Sequence, residues 1–323
     1  MIRLFDLIVV FALSGVLPWL SHGVMAQSKD AAEIVPEKFT TEISFYTGAE
    51  RHKAPFVLTG GFLMLQVKVN GTSVWAIMDN GAASTAIDAS FVEQNGIAVR
   101  QTLKPFLTNT GPVSRTLTEA IEIDLPGVLK ATSSVSAIDL KSVSQLVGKP
   151  VILVLGREYF AQTAVIISFK QRMLDIGPAS SVRLSGGGAT PSVPQVTLEG
   201  DAPLVSLKVN DTPVRLQLDL GFSGDVSLAG GKWDDAIGKD TPSNRVGTMS
   251  VEGTIRPVVQ TPNQSVIIGD QQLDNISVLQ DTMLPASGDG LLGIGLLSRF
   301  DIVVINFYEA KMMLLGRTKK SGQ

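Results

Sequence analysis

The sequence contains no cysteine, and it has only two histidines, His22 and His52, among its 323 residues. Without cysteine there is no thiol nucleophile, no disulfide framework and no thiolate metal site. His22 lies in a segment that we expect to be removed, which leaves His52 alone in the mature chain. A Ser-His-Asp triad would have to use His52, and a site with several histidine ligands is excluded. Catalysis would therefore rest mainly on the 30 carboxylates.

An excess of positive charge is also missing. The 27 Lys and Arg residues are balanced by 30 Asp and Glu, so the net charge is −3 and the pI is about 5.5. This balance gives no electrostatic footprint for nucleic acid, and we predict no nucleic-acid partner. The glycines of residues 290–295 have the wrong spacing for a dinucleotide-binding fingerprint. We predict neither a cofactor nor a metal.

Residues 1–26 have the pattern of a secretory signal. Arg3 provides a weakly positive start, residues 7–20 form a mostly apolar run, and Ala26 ends a suitable cleavage site. The run is short and interrupted for a membrane span, and the alternatives to a cleaved signal are an uncleaved anchor and a buried N-terminal helix. An exported chain without cysteine fits a bacterial periplasm better than a eukaryotic secretory route. We therefore expect a periplasmic or secreted bacterial protein, with no membrane contact unless the signal is retained.

The composition is typical of an all-β protein. Val, Ile and Thr are abundant, and short apolar runs end in turn residues among 31 Gly and 16 Pro. The predicted segments are a signal (1–26), an N-terminal segment (27–57), lobe 1 (58–179), a Gly- and Pro-rich linker (180–203) and lobe 2 (204–323). The N-terminal segment is open to three interpretations: a propeptide, a strand between the lobes, or a tether.

The two halves repeat each other. Residues 68–81 and 208–221 share Lys, Val, Asn, Thr, Val, Asp and Gly at a constant separation of 140 positions. Seven identities in fourteen ungapped positions indicate an internal duplication. The predicted first strands, tight turns and return strands are residues 63–69, 70–71 and 74–78 in one copy and 204–209, 210–211 and 214–218 in the other.

Each return strand ends in Asp-x-Gly, at Asp79 and at Asp219. An apolar strand that leads into a carboxylate is costly unless that carboxylate has a partner or a role. A single copy would be an ordinary strand-end turn, but a duplicated half can place its two aspartates face to face. Each half also ends in an apolar-apolar-Gly step, at Gly156 and at Gly293, followed by an apolar strand, a polar turn and a final strand.

At these residues the sequence resembles the aspartic protease superfamily, specifically the retropepsin-like proteins of bacteria. Residues 79–85 look like the retroviral-type Asp-Thr-Gly-Ala-x-x-Thr motif, and residues 219–224 look like the Asp-Thr-Gly-Phe-Ser-Gly of bacterial relatives. Residues 289–301 are similar to the closing signature of that family. The resemblance covers about residues 58–177 and 200–317. It implies a bilobal, pepsin-like architecture made of two retropepsin-like β-barrel lobes in one chain.

The resemblance also implies a chemistry. Asp79 and Asp219 would face each other at about 3 Å, share one proton, and activate a water that attacks a peptide carbonyl. The loop residues that it implies as support are Asn80, Gly81, Ser84, Leu220, Gly221, Ser223, Gly156 and Gly293. The substrate would be a peptide or protein lying extended across the lobes. A monomer is expected, because one chain carries both halves of the site.

Closing flaps are part of the same expectation. The candidate flap tips are residues 109–112 in lobe 1, with Gly111, and residues 247–253 in lobe 2, with Gly247 and Gly253. Both are glycine-bearing loops about 30 residues after their aspartate. The alternative is that they are ordinary surface hairpins.

The sequence departs from the family pattern after each aspartate. Thr or Ser normally follows and hydrogen-bonds across to the other loop, but here the residues are Asn80 and Leu220. Asn80 can donate and accept, whereas the Leu220 side chain can do neither, so the usual reciprocal lock is not expected. Ala82 and Phe222 also lack a hydroxyl, which suggests a dyad that works nearer neutral pH than pepsin does.

Three interpretations remain open on the sequence alone. The first is an exported aspartic endopeptidase that uses Asp79 and Asp219. The second is a catalytically inactive relative that binds peptides or envelope proteins in the same cleft. The third is an unrelated β-sandwich whose repeats are only structural. Geometry separates the third from the others, because in a β-sandwich the two carboxylates would lie far apart.

Overall fold

The computed structural model describes residues 7–9, 41–108, 111–161, 163–182, 195–199, 203–251, 253–281 and 288–316. The protein is mostly β, with 55% of it in strands, which confirms the predicted all-β class. Apart from residues 7–9, the predicted signal lies outside the described residues. Within the described ranges, no helix is long and apolar enough to cross a bilayer.

The described residues of the first half form fourteen strands and two short helices. The strands are β1 (Leu7–Val9), β2 (Thr41–Phe45), β3 (Ala54–Thr59), β4 (Phe62–Val69), β5 (Thr72–Met78), β6 (Ala86–Asp88), β7 (Val99–Thr108), β8 (Gly111–Thr118), β9 (Ile121–Leu125), β10 (Leu129–Ser133), β11 (Ser136–Ile138), β12 (Val151–Leu155), β13 (Thr163–Ser168) and β14 (Met173–Pro178). The helices are α1 (Ala89–Gln94) and α2 (Lys141–Val147), and 3₁₀ turns lie at Gly48–Glu50, Arg157–Tyr159 and Ala179–Ser181.

The second half repeats this order with fewer, longer strands. They are β15 (Gln195–Glu199), β16 (Leu204–Val209), β17 (Thr212–Leu218), β18 (Val226–Leu228), β19 (Asn244–Met249), β20 (Ile255–Ile268), β21 (Gln271–Gln280), β22 (Gly290–Leu292), β23 (Ile302–Asn306) and β24 (Lys311–Leu315). Its helices are α3 (Gly230–Ala236) and α4 (Ile294–Leu297).

In lobe 2, six strands close into a barrel. The pairings run β16–β17–β22–β18–β21–β20 and return to β16. Lobe 1 follows the same circuit through β4–β5–β12–β6–β11–β8, and β9 returns to β4. The long bent strands β20 and β21 of lobe 2 correspond to the pairs β8 with β9 and β10 with β11, which are interrupted in lobe 1. Closing the sheet on itself buries the alternate residues of each strand.

A third sheet joins the two lobes. Its six antiparallel strands have the order β3–β14–β13–β23–β24–β15, so each half supplies three of them. The central pair, β13 with β23, is in register from Ala164 opposite Asn306 to Ser168 opposite Ile302. The largest apolar cluster contains residues of both lobes and of this sheet, so the halves share one core.

The predicted tight turns are confirmed in both copies. Asn70 and Gly71 have φ values of 47° and 83°, and Asn210 and Asp211 have φ values of 47° and 68°. These left-handed conformations suit Asn, Asp and Gly and match the twist of a two-residue hairpin. The Asn70 and Asn210 side chains also accept hydrogen bonds from Glu122 N (2.9 Å) and Ser265 N (3.0 Å). Each hairpin is thereby tied to the next strand of its barrel.

Two segments outside the barrels form strands. β15 lies inside the stretch predicted as a linker and pairs with both β16 and β24, because the sequence of residues 195–199 alternates polar and apolar positions. β3 holds the equivalent place in the first half and pairs with β14 and β4. Residues 41–45 of the N-terminal segment form β2, which pairs with β10. Residues 27–40 lie outside the described part.

Candidate active site

The barrels bring Asp79 and Asp219 to equivalent positions. β5 runs parallel to β12, and Asp79 N donates to Leu155 O (3.0 Å) just beyond the last residue of the strand. β17 runs parallel to β22 in the same way, and Asp219 N donates to Leu292 O (2.9 Å). Both aspartate side chains are completely or almost completely buried. Each apolar-apolar-Gly step thus anchors the backbone of the aspartate in its own lobe.

The two carboxyl groups lie against each other's glycine turn. A Cβ atom placed on Gly81 would lie 2.7 Å from Asp219 Oδ2, and one placed on Gly221 would lie 2.3 Å from Asp79 Cγ. Only glycine leaves room for an approach this close, so the Gly of each Asp-x-Gly turn has a steric reason. The carboxylates therefore meet at the interface of the lobes, which excludes the interpretation in which the repeats place them far apart.

Backbone amides hold each carboxyl group in its own loop. Asp79 Oδ1 accepts from Gly81 N (2.8 Å) and Ala82 N (3.0 Å), and Asp219 Oδ1 accepts from Gly221 N (2.8 Å). Asp79 Oδ2 is buried and has no hydrogen-bond partner in the part of the chain that the structure describes. A buried carboxyl oxygen without a partner is costly, unless it carries a proton or receives a bound molecule.

Burial raises the pKa of both aspartates, and repulsion from Asp219 adds to the shift at Asp79. The pKa of Asp79 lies well above its ordinary value, first because of burial and then because the Asp219 carboxylate is close; the Gly81 and Ala82 amides oppose this shift. Burial raises the pKa of Asp219 to about 7, against the opposing effects of the Gly221 amide, Asp79, the Phe222 amide and Arg157. Two acids this close cannot both ionise easily, so the pair retains one proton over a wide pH range.

Asn80 forms two hydrogen bonds that cross between the two aspartate loops. Its Nδ2 donates to Leu218 O (2.7 Å), and its Oδ1 accepts from Leu220 N (2.7 Å). Both bonds are buried and link lobe 1 to the backbone on either side of Asp219. We call this pair of bonds the cross-lobe lock.

Leu220 stands where Thr or Ser is usual, and its backbone N–H is still paired because it donates to Asn80 Oδ1. The Leu220 side chain is fully buried in the shared apolar core. The reciprocal hydroxyl lock is missing, as the sequence predicted, but one amide side chain makes both bonds. Both bonds of the cross-lobe lock thus come from the Asn80 side chain of lobe 1.

The closing glycines pack directly against the aspartate loops. A Cβ atom on Gly156 would lie 2.4 Å from the carbonyl carbon of Ser84, and one on Gly293 would lie 2.5 Å from Phe222 O. Gly156 N also donates to Thr85 Oγ1 (2.9 Å). Ser223 lies against Gly61, whose Cβ position would be 2.6 Å from Ser223 Cβ. The predicted hydrogen-bonding roles of Ser84 and Ser223 remain predictions.

Sequence reasoning missed two charged neighbours of the site. Glu158 Oε1 accepts from Thr85 N (2.6 Å), and burial raises the pKa of Glu158 against the opposing Thr85 hydrogen bonds and the charge of Arg157. Arg157 Nε donates to Asn80 O (3.5 Å) and lowers the pKa of Asp219. Both residues directly follow Gly156, and this position was the signal that could have identified them as site residues.

The predicted flap loops are hairpins, although only parts of them are described. Gly111 begins β8 opposite Thr108 of β7, and residues 109–110 lie outside the described part. In lobe 2, Gly247 lies within β19 opposite Pro257 and is therefore not a tip residue. Gly253 lies in the connection between β19 and β20, with a φ of 84°.

Other types of site lack support in the described ranges. The His52 ring lies against Gly127 and its Nδ1 contacts Lys53 O (3.3 Å); neither residue belongs to the aspartate loops. No group of three His, Asp or Glu side chains is arranged to hold a metal ion in the part of the chain that the structure describes. Among the described residues, the carboxyl groups of Asp79 and Asp219 are buried and lie close together.

Comparison with known families agrees with this geometry. Residues 65–159 match the family model described as aspartyl protease. The matched region includes β5, Asp79, β12 and Gly156, which is most of lobe 1. A search of curated proteins gave no match. Residues 65–159 are thus similar to the aspartyl protease family, and the all-β lobes and the facing Asp-x-Gly turns agree with that similarity.

Proposed function

We propose that this protein is an aspartic endopeptidase that hydrolyses peptide bonds with Asp79 and Asp219. One observation carries the proposal: two buried carboxyl groups from equivalent loops abut each other's glycine, and both have raised pKa values. Acid–base hydrolysis requires one group that gives a proton and one that takes a proton. Two buried acids that share a single proton provide both. The family match supports an aspartic protease-like function in general.

The two acids titrate as a coupled pair that shares one proton. The pKa of Asp79 is raised by burial and by Asp219. The pKa of Asp219 is raised to about 7, mainly by burial, so the pair retains a proton up to near-neutral pH. The ionised member of the pair would take a proton from water, and the protonated member would polarise the scissile carbonyl. The water adds to the carbonyl carbon, and no covalent enzyme intermediate forms.

An extended peptide is the substrate form that the cleft favours. The outer edge of β19 pairs in parallel with residues Leu7–Val9, with Leu7 opposite Gly247 and Val9 opposite Met249. This edge therefore accepts a strand by main-chain hydrogen bonding, which is how extended peptides are recognised. If the signal is removed as we expect, the mature protein would present this edge to a substrate.

Matched aspartate variants test the proposal. Asp79→Asn and Asp219→Asn should each lower kcat/KM on a peptide pool by about 10⁴-fold, because the two groups act as one unit. Asp234→Asn is the control, since Asp234 is partly exposed and contacts Lys239 at 3.8 Å. The control should retain full activity. Cleavage that persists in either active-site variant would disprove the dyad assignment.

The inactive-relative interpretation is decided by the same material. Peptide binding without any cleavage by the wild-type protein between pH 4 and pH 8 would support a binding protein that uses this cleft. Cleavage that both Asp→Asn variants abolish would support the enzyme. Analysis of the products by mass spectrometry separates internal cleavage from trimming of peptide ends.

A further inference from the structure

The connection between β19 and β20 reaches across the cleft and contacts lobe 1. We call its described residues 250, 251, 253 and 254 the flap-2 tip. Val251 is 3% exposed and belongs to a buried apolar cluster whose other described members all come from lobe 1. We call the lobe 1 members of this cluster the lobe-1 pocket. They include Phe62, Ile77, Ala82, Val143 and Val147.

A second contact lies beside the first. A Cβ atom on Gly253 would lie 2.6 Å from Ser142 Cβ and 2.3 Å from Ser142 Oγ, so the backbone of the flap-2 tip touches the first turn of α2. Gly253 N donates to Ser250 O (2.9 Å), and Ser250 N donates to Thr254 O (3.1 Å), which closes the tip into a tight turn. Apolar burial and a close backbone contact therefore both hold the tip on lobe 1.

The lobe-1 pocket adjoins the aspartates. Ile77 is two residues before Asp79 on β5, and Ala82 N donates to Asp79 Oδ1 (3.0 Å). At the position equivalent to Ala82, lobe 2 has Phe222, which is fully buried in an apolar cluster made only of described lobe 2 residues. The large ring fills its own lobe. The small Ala82 instead belongs to the apolar cluster that also contains Val251 of the other lobe.

We infer that Val251 occupies the pocket that binds an apolar side chain of the substrate, so the flap-2 tip is a self-occupying latch. The inference rests on the proposed function and adds its specificity and regulation. A peptide binds when the tip lifts and a Val- or Leu-sized side chain takes the place of Val251. The latch keeps the buried dyad closed to water until a peptide with a suitable side chain displaces it.

The absence of cysteine makes a direct test possible. The Ser142→Cys, Gly253→Cys double variant offers one disulfide pairing and no other. Its Cβ atoms start closer than the roughly 3.8 Å of a normal disulfide, so a shift of about 1 Å suffices. We expect the bond to form with diamide, which takes up the two electrons and two protons of the thiols. Failure to form it in protein that is folded by circular dichroism would overturn the contact.

The locked and reduced forms then report on the latch. A labelled extended peptide with Val at one position should bind the locked form at least about tenfold more weakly than the reduced form, with dithiothreitol restoring binding. Equal binding by both forms would overturn the latch. The single variants Ser142→Cys and Gly253→Cys are the controls for the helix and for the φ of Gly253. Binding is measured in Asp219→Asn protein, so that cleavage does not consume the peptide.

Shortening the Val251 side chain should have the opposite effect on peptide binding. Val251→Ala should strengthen binding of the Val-containing peptide by about fivefold to tenfold, because the tip no longer competes with the full apolar surface of Val. Ile255→Ala is the matched control, since Ile255 is adjacent in the hairpin but 54% exposed. Unchanged or weaker binding in Val251→Ala would mean that Val251 does not compete with substrate. A peptide with Ser in place of Val should gain nothing.

Failure of this inference and failure of the proposed function give different results. If the protein cleaves peptides but the locked form works normally, the latch is wrong and the protease stands. If no peptide is cleaved but binding still depends on Val251, the pocket stands and the catalytic proposal falls.

Discussion

The two lobes build the same Asp-x-Gly turn with different chemistry around it. Lobe 1 places the polar Asn80 after its aspartate and the small Ala82 after its glycine, whereas lobe 2 places Leu220 and Phe222 at the equivalent positions. Asn80 makes both bonds of the cross-lobe lock, and Leu220 and Phe222 fill apolar cores. Lobe 1 therefore supplies polar attachment and a small side chain, and lobe 2 supplies apolar anchoring.

The turn that follows each loop shows the same division. In lobe 1, Glu158 accepts from the backbone of Thr85, and its other oxygen is buried without a partner among the described residues. In lobe 2 the position equivalent to Thr85 is Asp225, which accepts from Ser277 N (3.0 Å) and from Arg299 (3.1 Å). A buried acid on one side corresponds to an ion pair on the other. Equivalent positions are thus held by unlike interactions.

Phe222 should show the largest difference between the lobes. Phe222→Ala removes a fully buried ring and should lower the free energy of unfolding by about 3–5 kcal/mol. Ala82→Phe at the equivalent position overpacks the lobe-1 pocket and should cost about 1–3 kcal/mol. Urea denaturation measures both values. Val99→Ala, on a side chain that is 49% exposed, should change stability little. Equal costs at positions 82 and 222 would contradict the asymmetry of the pockets.

The glycines of the two turns should differ in the same direction. Gly221→Ala places a methyl group 2.3 Å from Asp79 Cγ, and Gly81→Ala places one 2.7 Å from Asp219 Oδ2. Both should reduce kcat/KM by about 10²-fold or more, since the carboxylates must separate, and Gly221→Ala should be the more severe. Gly231→Ala in α3 has nothing within 4 Å and should be neutral in kinetic assays. Normal activity in Gly221→Ala would exclude the tight pairing.

The cross-lobe lock should depend on lobe 1 alone. Asn80→Ala removes two buried hydrogen bonds and leaves Leu220 N and Leu218 O unpaired, which should cost about 2–3 kcal/mol of stability and reduce kcat. Leu220→Met retains volume and the backbone N–H, so it should cost under about 1.5 kcal/mol and leave kcat unchanged. Stability from urea denaturation and kcat from peptide hydrolysis are compared for both. A larger loss of kcat in Leu220→Met would reverse the assignment.

The pH dependence of stability and of hydrolysis tests whether burial raises the pKa values of the paired acids. The folded-state pKa of Asp219, about 7, exceeds the ordinary value of 3.8, so its favourable contribution is complete below about pH 4 and is lost as pH rises through 7. The protein should lose about 2–3 kcal/mol of stability between pH 5 and pH 8. Asp219→Asn should reduce that loss. Hydrolysis should also fall above about pH 7, as the shared proton leaves.

A sharply acidic activity optimum, with activity already lost below neutrality, would contradict the raised pKa of Asp219. A stability that is flat between pH 5 and pH 8 in the wild-type protein would do the same. Asp234→Asn again serves as the control, because its partly exposed carboxylate should leave both profiles unchanged.

Local and repeated features were predictable from the sequence. The hairpin turns at Asn70 and Asn210 follow from residues that tolerate positive φ, and the facing aspartates follow from two similar strand-turn patterns. Both signals are short-range and occur twice, so each copy supports the other. The family match extends over residues 65–159 of lobe 1.

Long-range features were not predictable. β15 forms within a Gly- and Pro-rich stretch because it pairs with the neighbouring strand β16 and with β24, which is more than 100 residues away in the sequence. The double role of Asn80 depends on where the backbone of residues 218–220 lies, and the burial of Val251 depends on a pocket in the other lobe. No residue type predicts a contact of this kind. Pairwise packing across a cleft has no periodicity that a sequence reveals.

The sheet between the lobes has a consequence for how the halves are joined. Its central strands, β13 and β23, come from different halves and are paired over five residues, and β14 and β24 flank them. The halves are thus attached by a backbone seam that does not depend on the peptide linkage between them. Two separately produced halves would have a ready template for reassociation, and the active site would be rebuilt wherever that seam forms.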